Sequence, residues 1–273
     1  MTEFKYSIDS DGVAIISWDV PNKTMNVMSL EGLKELDKHF DAALSDDRVK
    51  GIIVTSGKRD FAGGMDLNVL ADMKTAQGEN PAQGLFNGIM QIHKLLRKIE
   101  LAGMDPKTKK GAKPVAAAIN GTAAGIGLEL PLACHRIFAI DNEKSKIGLP
   151  EILVGIFPGA GGTTRLVRKL GAMNAAPFLL EGKMLPPSKM KLAGVIDELT
   201  DESDLLSRAK AWVLDATDAD CIKPWDDKSY KMPGGGPYHP NGYMTFAGAS
   251  VMVNSKTQGA FPAAKTLLSA VYE

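Results

Sequence analysis

Three glycine-rich stretches carry the residue types best suited to catalysis: DFAGGMDL at 60–67, GTAAGIGLEL at 121–130 and PEILVGIFPGAGGTTRL at 150–166. Taken singly, each reads as a strand-to-helix turn, where glycine permits φ > 0 and close packing. Taken together they offer more. A helix beginning near Gly125 points the free N–H groups of its first turn at whatever lies ahead of Ile126 and Gly127. A turn at Gly63, Gly64 and Met65 presents another such donor. Two donors aimed at one point form an oxyanion hole, able to hold a thioester oxygen as it gains negative charge. Glu129 lies one turn into that helix, and Glu151 opens the next segment just ahead of a glycine turn. Two carboxyl groups are thus available for general acid–base work. An isolated glutamate is more often a surface or ion-paired residue, and spacing alone does not bring these two together.

Other chemistries lack their residues. No cluster matches GxxxxGK[ST], and none has the GxGxxG spacing of a dinucleotide fold, which disfavours nucleotide binding through those devices. There is no GxSxG elbow for a serine hydrolase. His39, His93, His135 and His239 show no metal-ligand spacing, and His39 reads as a structural residue of a helix; no metal is expected. Cys134 and Cys221 stand apart from any CxxC and read as reduced thiols, which points to a cytoplasmic protein. Lys plus Arg and Asp plus Glu each total 32, so no global basic field argues for nucleic acid, and an anionic ligand must be met locally. The N-terminal residues do not follow a signal-peptide pattern, and no apolar run reaches the ~18 residues of a membrane span.

Elements that position these residues can be read from periodicity. With 44% apolar content, the 273 residues can bury a large core, as one large domain or two small ones. β-rich runs occur at Val13–Trp18, Gly51–Thr55, Lys113–Ile119 and Arg136–Ile140. Between them, Leu33, Leu36, Phe40 and Leu44 mark a helix over 29–44 with Ser29 as its N-cap. Leu85, Ile89, Ile92, Leu96 and Ile99 mark another over roughly 82–100. Strands alternating with helices imply an α/β architecture with right-handed crossovers. Residues 101–112 read as an exposed loop, and 216–242, with four prolines and Gly234–Gly236, as a linker or extended arm. Helical character returns at Phe261–Tyr272, where Leu267, Leu268, Val271 and Tyr272 make an apolar stripe expected to fold back over the core or meet a neighbouring subunit.

The clusters resemble, in order and spacing, the signature of the crotonase (enoyl-CoA hydratase/isomerase) superfamily. AAAINGTAAGIGLELPLACHRIFA is similar to the family's glycine turn and helix bearing a catalytic glutamate, and KIGLPEILVGIFPGAGGTTRLVRKLG to its second glutamate segment. RDFAGGMDL resembles the first oxyanion segment, and PNKTMNVMSLEGLKEL the substrate-lining stretch before the first long helix. The match covers residues 3–215. It implies a crotonase-type ββα superhelix with C-terminal helices, and Glu129 and Glu151 as the acid–base pair. It also implies oxyanion N–H groups on Met65 and Ile126, and acyl-CoA contacts at Ala62, Gly64, Asp66, Leu67 and Gly159. Two departures stand out: Ile126 replaces the middle glycine of the family's triplet, and Met65 replaces a small residue. Both donors are backbone groups, so the chemistry survives, but the larger side chains reshape the acyl pocket.

That resemblance implies hydration of trans-2-enoyl-CoA in fatty-acid β-oxidation. Double-bond isomerisation and a non-catalytic assembly role are the competing readings; two glutamates favour the hydratase, since one suffices for the family's isomerases. The stretch from Ile222 to Glu273, together with His135 in LACHRIF, resembles the connecting region of multifunctional fatty-acid oxidation α-subunits. This implies a hydratase core over 1–215 and an arm and helix over 216–273 leading to a 3-hydroxyacyl-CoA dehydrogenase part. Hydration itself implies no cofactor beyond the CoA of the substrate, with NAD relevant only to a dehydrogenase part. A homotrimer or a thiolase partner is the assembly implied.

Overall fold

The computed structural model describes residues 2–66, 68–69 and 80–273. A six-stranded sheet forms the centre, in the order β1 (Phe4–Ile8), β2 (Val13–Trp18), β3 (Gly51–Ser56), β4 (Val115–Ile119), β6 (Arg136–Ile140), β9 (Glu198–Thr200). β1 and β2 are antiparallel, and every later pairing is parallel. Parallel strands covered on both faces become continuous apolar runs. VAAAI of β4 is buried throughout, as is GIIVT of β3.

Strict alternation sends neighbouring residues to opposite layers. Ile52, Val54, Val115, Ala117 and Ile119 join the larger core, whereas Ile53, Ala116, Ala118 and Phe138 face a smaller one. Leu205, Ala209 and Val213 close the smaller layer from α7 (Leu205–Asp215). The larger core contains α1 (Leu30–Ser45) and α2 (Pro81–Leu101), at the positions periodicity implies. The Ser29 side chain accepts from Gly32 N–H, as its N-cap role requires. His39 does stack against a neighbour, its ring lying on Tyr6 at 5.4 Å.

A second sheet of three short strands matters more for the site. β5 (Ala123–Ala124) pairs in parallel with β7 (Ile147–Gly148), which pairs antiparallel with β8 (Met184–Leu185). A single bridge, Ala62 to Ala123, ties it to the first glycine cluster, whose Met65 bridges in turn to Met28 ahead of α1. α3 (Ile126–Ala133) springs from β5 and is buried at all eight positions, so it is apolar on every side except at Glu129. α4 (Gly162–Leu170), α5 (Ala172–Leu180) and α6 (Pro187–Leu192) follow.

Within the stretch read as an arm, the chain makes short 3-10 turns at Asp218–Cys221 and Pro224–Asp226, and Cys221 and Lys223 are buried. Then comes a helix that periodicity did not reveal, α8 (Pro240–Thr257), in which only Gly242 and Val253 are buried. Its apolar residues are scattered around the axis, with Tyr243, Met244, Val251 and Met252 exposed, so no stripe marks it. α9 (Pro262–Tyr272) packs back on α4 and α5. Leu267 is fully buried, Leu268 and Val271 are partly so, and Tyr272 stays outside, edge-on to Tyr238 and Phe246. No helix among the described residues is long and apolar enough to cross a membrane.

Candidate active site

A cavity of about 1130 Å³ opens where α3, the 3-10 turn Pro150–Val154, the 155–162 loop, α2 and α9 meet. Gly64, Met65, Ile126, Glu129, Glu151 and Gly159 all border it. Residues from three separate stretches of sequence thus share one space. Its remaining wall is largely apolar, including Leu85, Ile89 and Ile92 of α2 and Ala263 and Ala270 of α9.

Backbone pairing explains why two N–H groups are left for this space. Met28 bridges the first cluster by donating to Gly64 O (2.9 Å) and accepting from Asp66 N–H (3.0 Å). In a parallel bridge of that kind the residue between, Met65, turns its own N–H to the opposite side. Ile126 is the first residue of α3, so its N–H has no partner within the helix. Neither group donates to any acceptor among the described residues, and the same is true of Gly159 N–H. The residues just ahead of the two donors abut: a Cβ on Gly125 would lie 3.6 Å from Gly64 Cα and 3.2 Å from Glu151 Oε1. With φ of +56° at Gly125, a side chain would be strained there as well as crowded.

The carboxyl groups sit in different settings. Glu129 is 3% exposed, and its Oε1 accepts from Ala160 N–H (2.9 Å) and Gly162 N–H (2.8 Å). Burial raises its pKa, against the lowering pull of those two donors and of nearby Arg165. Glu151 Oε2 is buried with no partner among the described residues. Burial again raises its pKa first, and the charge of Glu129 adds to the effect. Two buried carboxyls that face one another's charge cannot both ionise easily, so the pair holds a proton toward the neutral range.

Ala62 and Asp66 do not border the cavity. Ala62 spends its backbone groups on Thr122 O and Ala124 N–H. Asp66 Oδ1 accepts from Asn68 N–H (3.0 Å) and Asn68 Nδ2 (2.9 Å). Leu67 lies outside the described residues. Met65 is half-buried at the edge of the space, and the Ile126 side chain packs into the core. One contributor escaped the sequence reading. His93 Nε2 lies 2.6 Å from Gly159 O and, since a carbonyl only accepts, must carry the proton. Its only sequence signal was a polar residue beside Ile92 on a helix otherwise read as packing. Among the described residues, no group of three or more His, Cys, Asp or Glu is arranged to hold a metal.

The profile of the enoyl-CoA hydratase/isomerase family matches residues 9–219. The chain belongs to that family. Among curated relatives, the fatty acid oxidation complex subunit alpha of Shewanella loihica is 33% identical over 262 residues, 96% of this chain and 35% of that protein. Its counterpart from Vibrio parahaemolyticus is 32% identical, covering 98% of this chain and 36% of that one. The chain therefore spans about a third of the length of these relatives. Among solved structures, an enoyl-CoA hydratase of Geobacillus kaustophilus superposes with a TM-score of 0.66 at 27% identity, covering 78% of this chain and 73% of that one. A Bacillus anthracis enoyl-CoA hydratase superposes with a TM-score of 0.64 over 99% of this chain and 90% of its own, and at 23% identity shows the fold alone. The fold is of the crotonase type.

Proposed function

We propose that this chain hydrates trans-2-enoyl-CoA thioesters to 3-hydroxyacyl-CoA in fatty-acid oxidation. One observation supports this most: two buried carboxyl groups, each with its pKa raised by burial, border the same cavity as two unpaired backbone N–H groups. The Met65 and Ile126 N–H groups polarise the thioester carbonyl and hold the enolate oxygen, each contributing about 3–4 kcal/mol by analogy with other oxyanion donors. Glu129, held by Ala160 and Gly162, takes a proton from the attacking water as oxygen bonds to C3. Glu151, its Oε2 otherwise unpartnered, gives its proton to C2. The net charge of the pair is the same before and after, which suits a space that tolerates only one negative charge. Gly64 and Gly159 line the acyl path beside them.

On this reading residues 1–215 form the hydratase core and 216–273 an arm and helix leading to a dehydrogenase part, in keeping with relatives of which this chain spans about a third. NAD belongs to that part, and the hydratase uses no cofactor beyond the substrate's CoA. A trimer or a thiolase partner is the assembly that fits such a role. A crotonyl-CoA hydration assay tests the reading, with loss of the enoyl absorbance as its signal. No turnover by folded protein, on short or long acyl chains, sinks it and leaves the assembly role. The unpartnered Glu151 Oε2 favours one second reading, isomerisation of a trans-3-enoyl-CoA by a single shuttling acid. That activity is read by appearance of the 2-enoyl product.

A further inference from the structure

Behind the loop that grips Glu129 lies a buried charged cluster with no part in the mechanism so far. Glu100, on α2 and 3% exposed, accepts from Arg97 Nη1 (2.8 Å), from Arg165 Nε and Nη2 (both 3.2 Å) and from Trp225 Nε1 (3.0 Å). Arg97 also forks onto Asp226, at 2.8 and 2.7 Å. His135 Nδ1 accepts from Val115 N–H (2.9 Å), so its Nε2 carries the proton and donates to Glu100 O (3.1 Å). Three segments distant in sequence thus converge on one carboxylate.

Arg165 is the member that reaches toward the site. Its Nη1 donates to Ala160 O (3.4 Å) and lies so close beneath Gly161 that a Cβ there would collide with it. The same loop delivers the Ala160 and Gly162 N–H groups to Glu129 Oε1, while His93 holds its other end through Gly159 O. A buried ion pair is a weak source of stability, because desolvation offsets most of its attraction, so this cluster calls for another use.

We propose that Arg165, clamped by Glu100 and Trp225, is a positioning residue for the hydration reaction, fixing the 158–162 loop so that Glu129 faces the reacting water. The inference rests on the function proposed above. Trp225 lies outside the family-matched stretch 9–219, so the segment after the core contributes to catalytic geometry. The charged groups facing Glu129 are Glu151 from the 3-10 turn and Arg165 from α4. Around Arg165 stand Glu100, Arg97 and His93 of α2, Arg168 of α4 and Asp226. Lys223 and His135 lie beyond Glu100.

The test compares kcat and KM for crotonyl-CoA across pH in wild type, R165K, the charge-balanced pair E100Q/R165M, W225F and E129Q. E100Q/R165M should lose about 10–30-fold in kcat with KM within about two-fold. Its acid limb should move to higher pH, because Glu129 loses a neighbouring cation that favours its ionised form. R165K keeps the cation without the fork, so the limb should return toward wild type while kcat stays low. W225F, which deletes the N–H with its five-membered ring and keeps an aromatic six-membered ring in place, should cost about three-fold in kcat. Folded variants with kcat within two-fold and an unmoved limb overturn the proposal, whatever happens to their melting temperature. If the Arg165 variants do not fold, W225F decides alone, and unchanged kcat there overturns it. A fully active E129Q would instead sink the functional reading on which the proposal stands.

Discussion

Glu129 and Glu151 are the same residue type facing the same cavity, yet the chain holds them in opposite ways. Glu129 stands on a fully buried helix and gives one oxygen to two N–H donors from a loop that is itself gripped from behind. Glu151 stands on a single 3-10 turn, and one of its oxygens meets nothing among the described residues. An oxygen fixed by two donors leaves the carboxyl one free oxygen in a fixed direction, as a group that must orient water requires. On the proposed mechanism, the Glu151 oxygen without a donor is the one that carries the proton to carbon. Identical side chains thus sit in different electrostatic settings because different numbers of backbone donors surround them, and the proposed division of labour follows from that difference.

The largest effects should come from the carboxyls themselves. E151Q and E129Q should each lower crotonyl-CoA hydration by ~10²-fold or more while circular dichroism stays unchanged. Unaltered turnover in either would remove that residue from the mechanism. The comparison sharpens at the loop. A Cβ on Gly162 would sit 2.9 Å from Glu129 Oε1 and 2.8 Å from its Cγ, whereas one on Gly159 meets nothing nearer than 3.8 Å. G162A should therefore cost roughly ten-fold in kcat, and G159A less than about two-fold, in steady-state kinetics. Equal losses would show that the grip on Glu129 is unimportant.

A smaller effect should appear in pH profiles. Wild-type kcat/KM should fall as pH rises past about 8, where Glu151 gives up its proton. Removing the charge of Glu129, which raises that value, should move the alkaline limb of the residual E129Q activity to lower pH. A limb that stays in place means the two groups do not sense each other. The smallest effect is on stability. Between the ordinary carboxylate value of 4.5 and the raised one near 8, folded Glu151 keeps a proton that the unfolded chain has released, so stability falls as pH rises across that window. E151Q lacks this term and should gain on wild type by on the order of 1–2 kcal/mol at the upper end, read from urea unfolding at several pH values.

Much of this was legible in the residues. Runs such as GIIVT and VAAAI announced buried parallel strands, because a strand covered on both faces is apolar at every position. Glycine clusters marked where backbone N–H groups must come close to something, and the glutamates stood within them. Family resemblance then paired residues that spacing alone left apart. The α8 helix stayed hidden because, with only two buried positions, it has no periodic stripe to read.

Tertiary structure alone decided the rest. Whether Met65 keeps its N–H for the cavity depends on which side of residues 62–66 Met28 pairs with, a matter of long-range register. Whether Glu129 or Glu151 is the gripped carboxyl depends on a loop more than thirty residues away from Glu129 folding onto it. The wall contributed by α9 and the tie from Trp225 to Glu100 span still greater separations. Local sequence determines which backbone groups a turn or helix start leaves free, because that follows from hydrogen-bonding geometry over four or five residues. It carries no information about what lies on the far side of those groups, because that is set by how distant surfaces exclude water from one another.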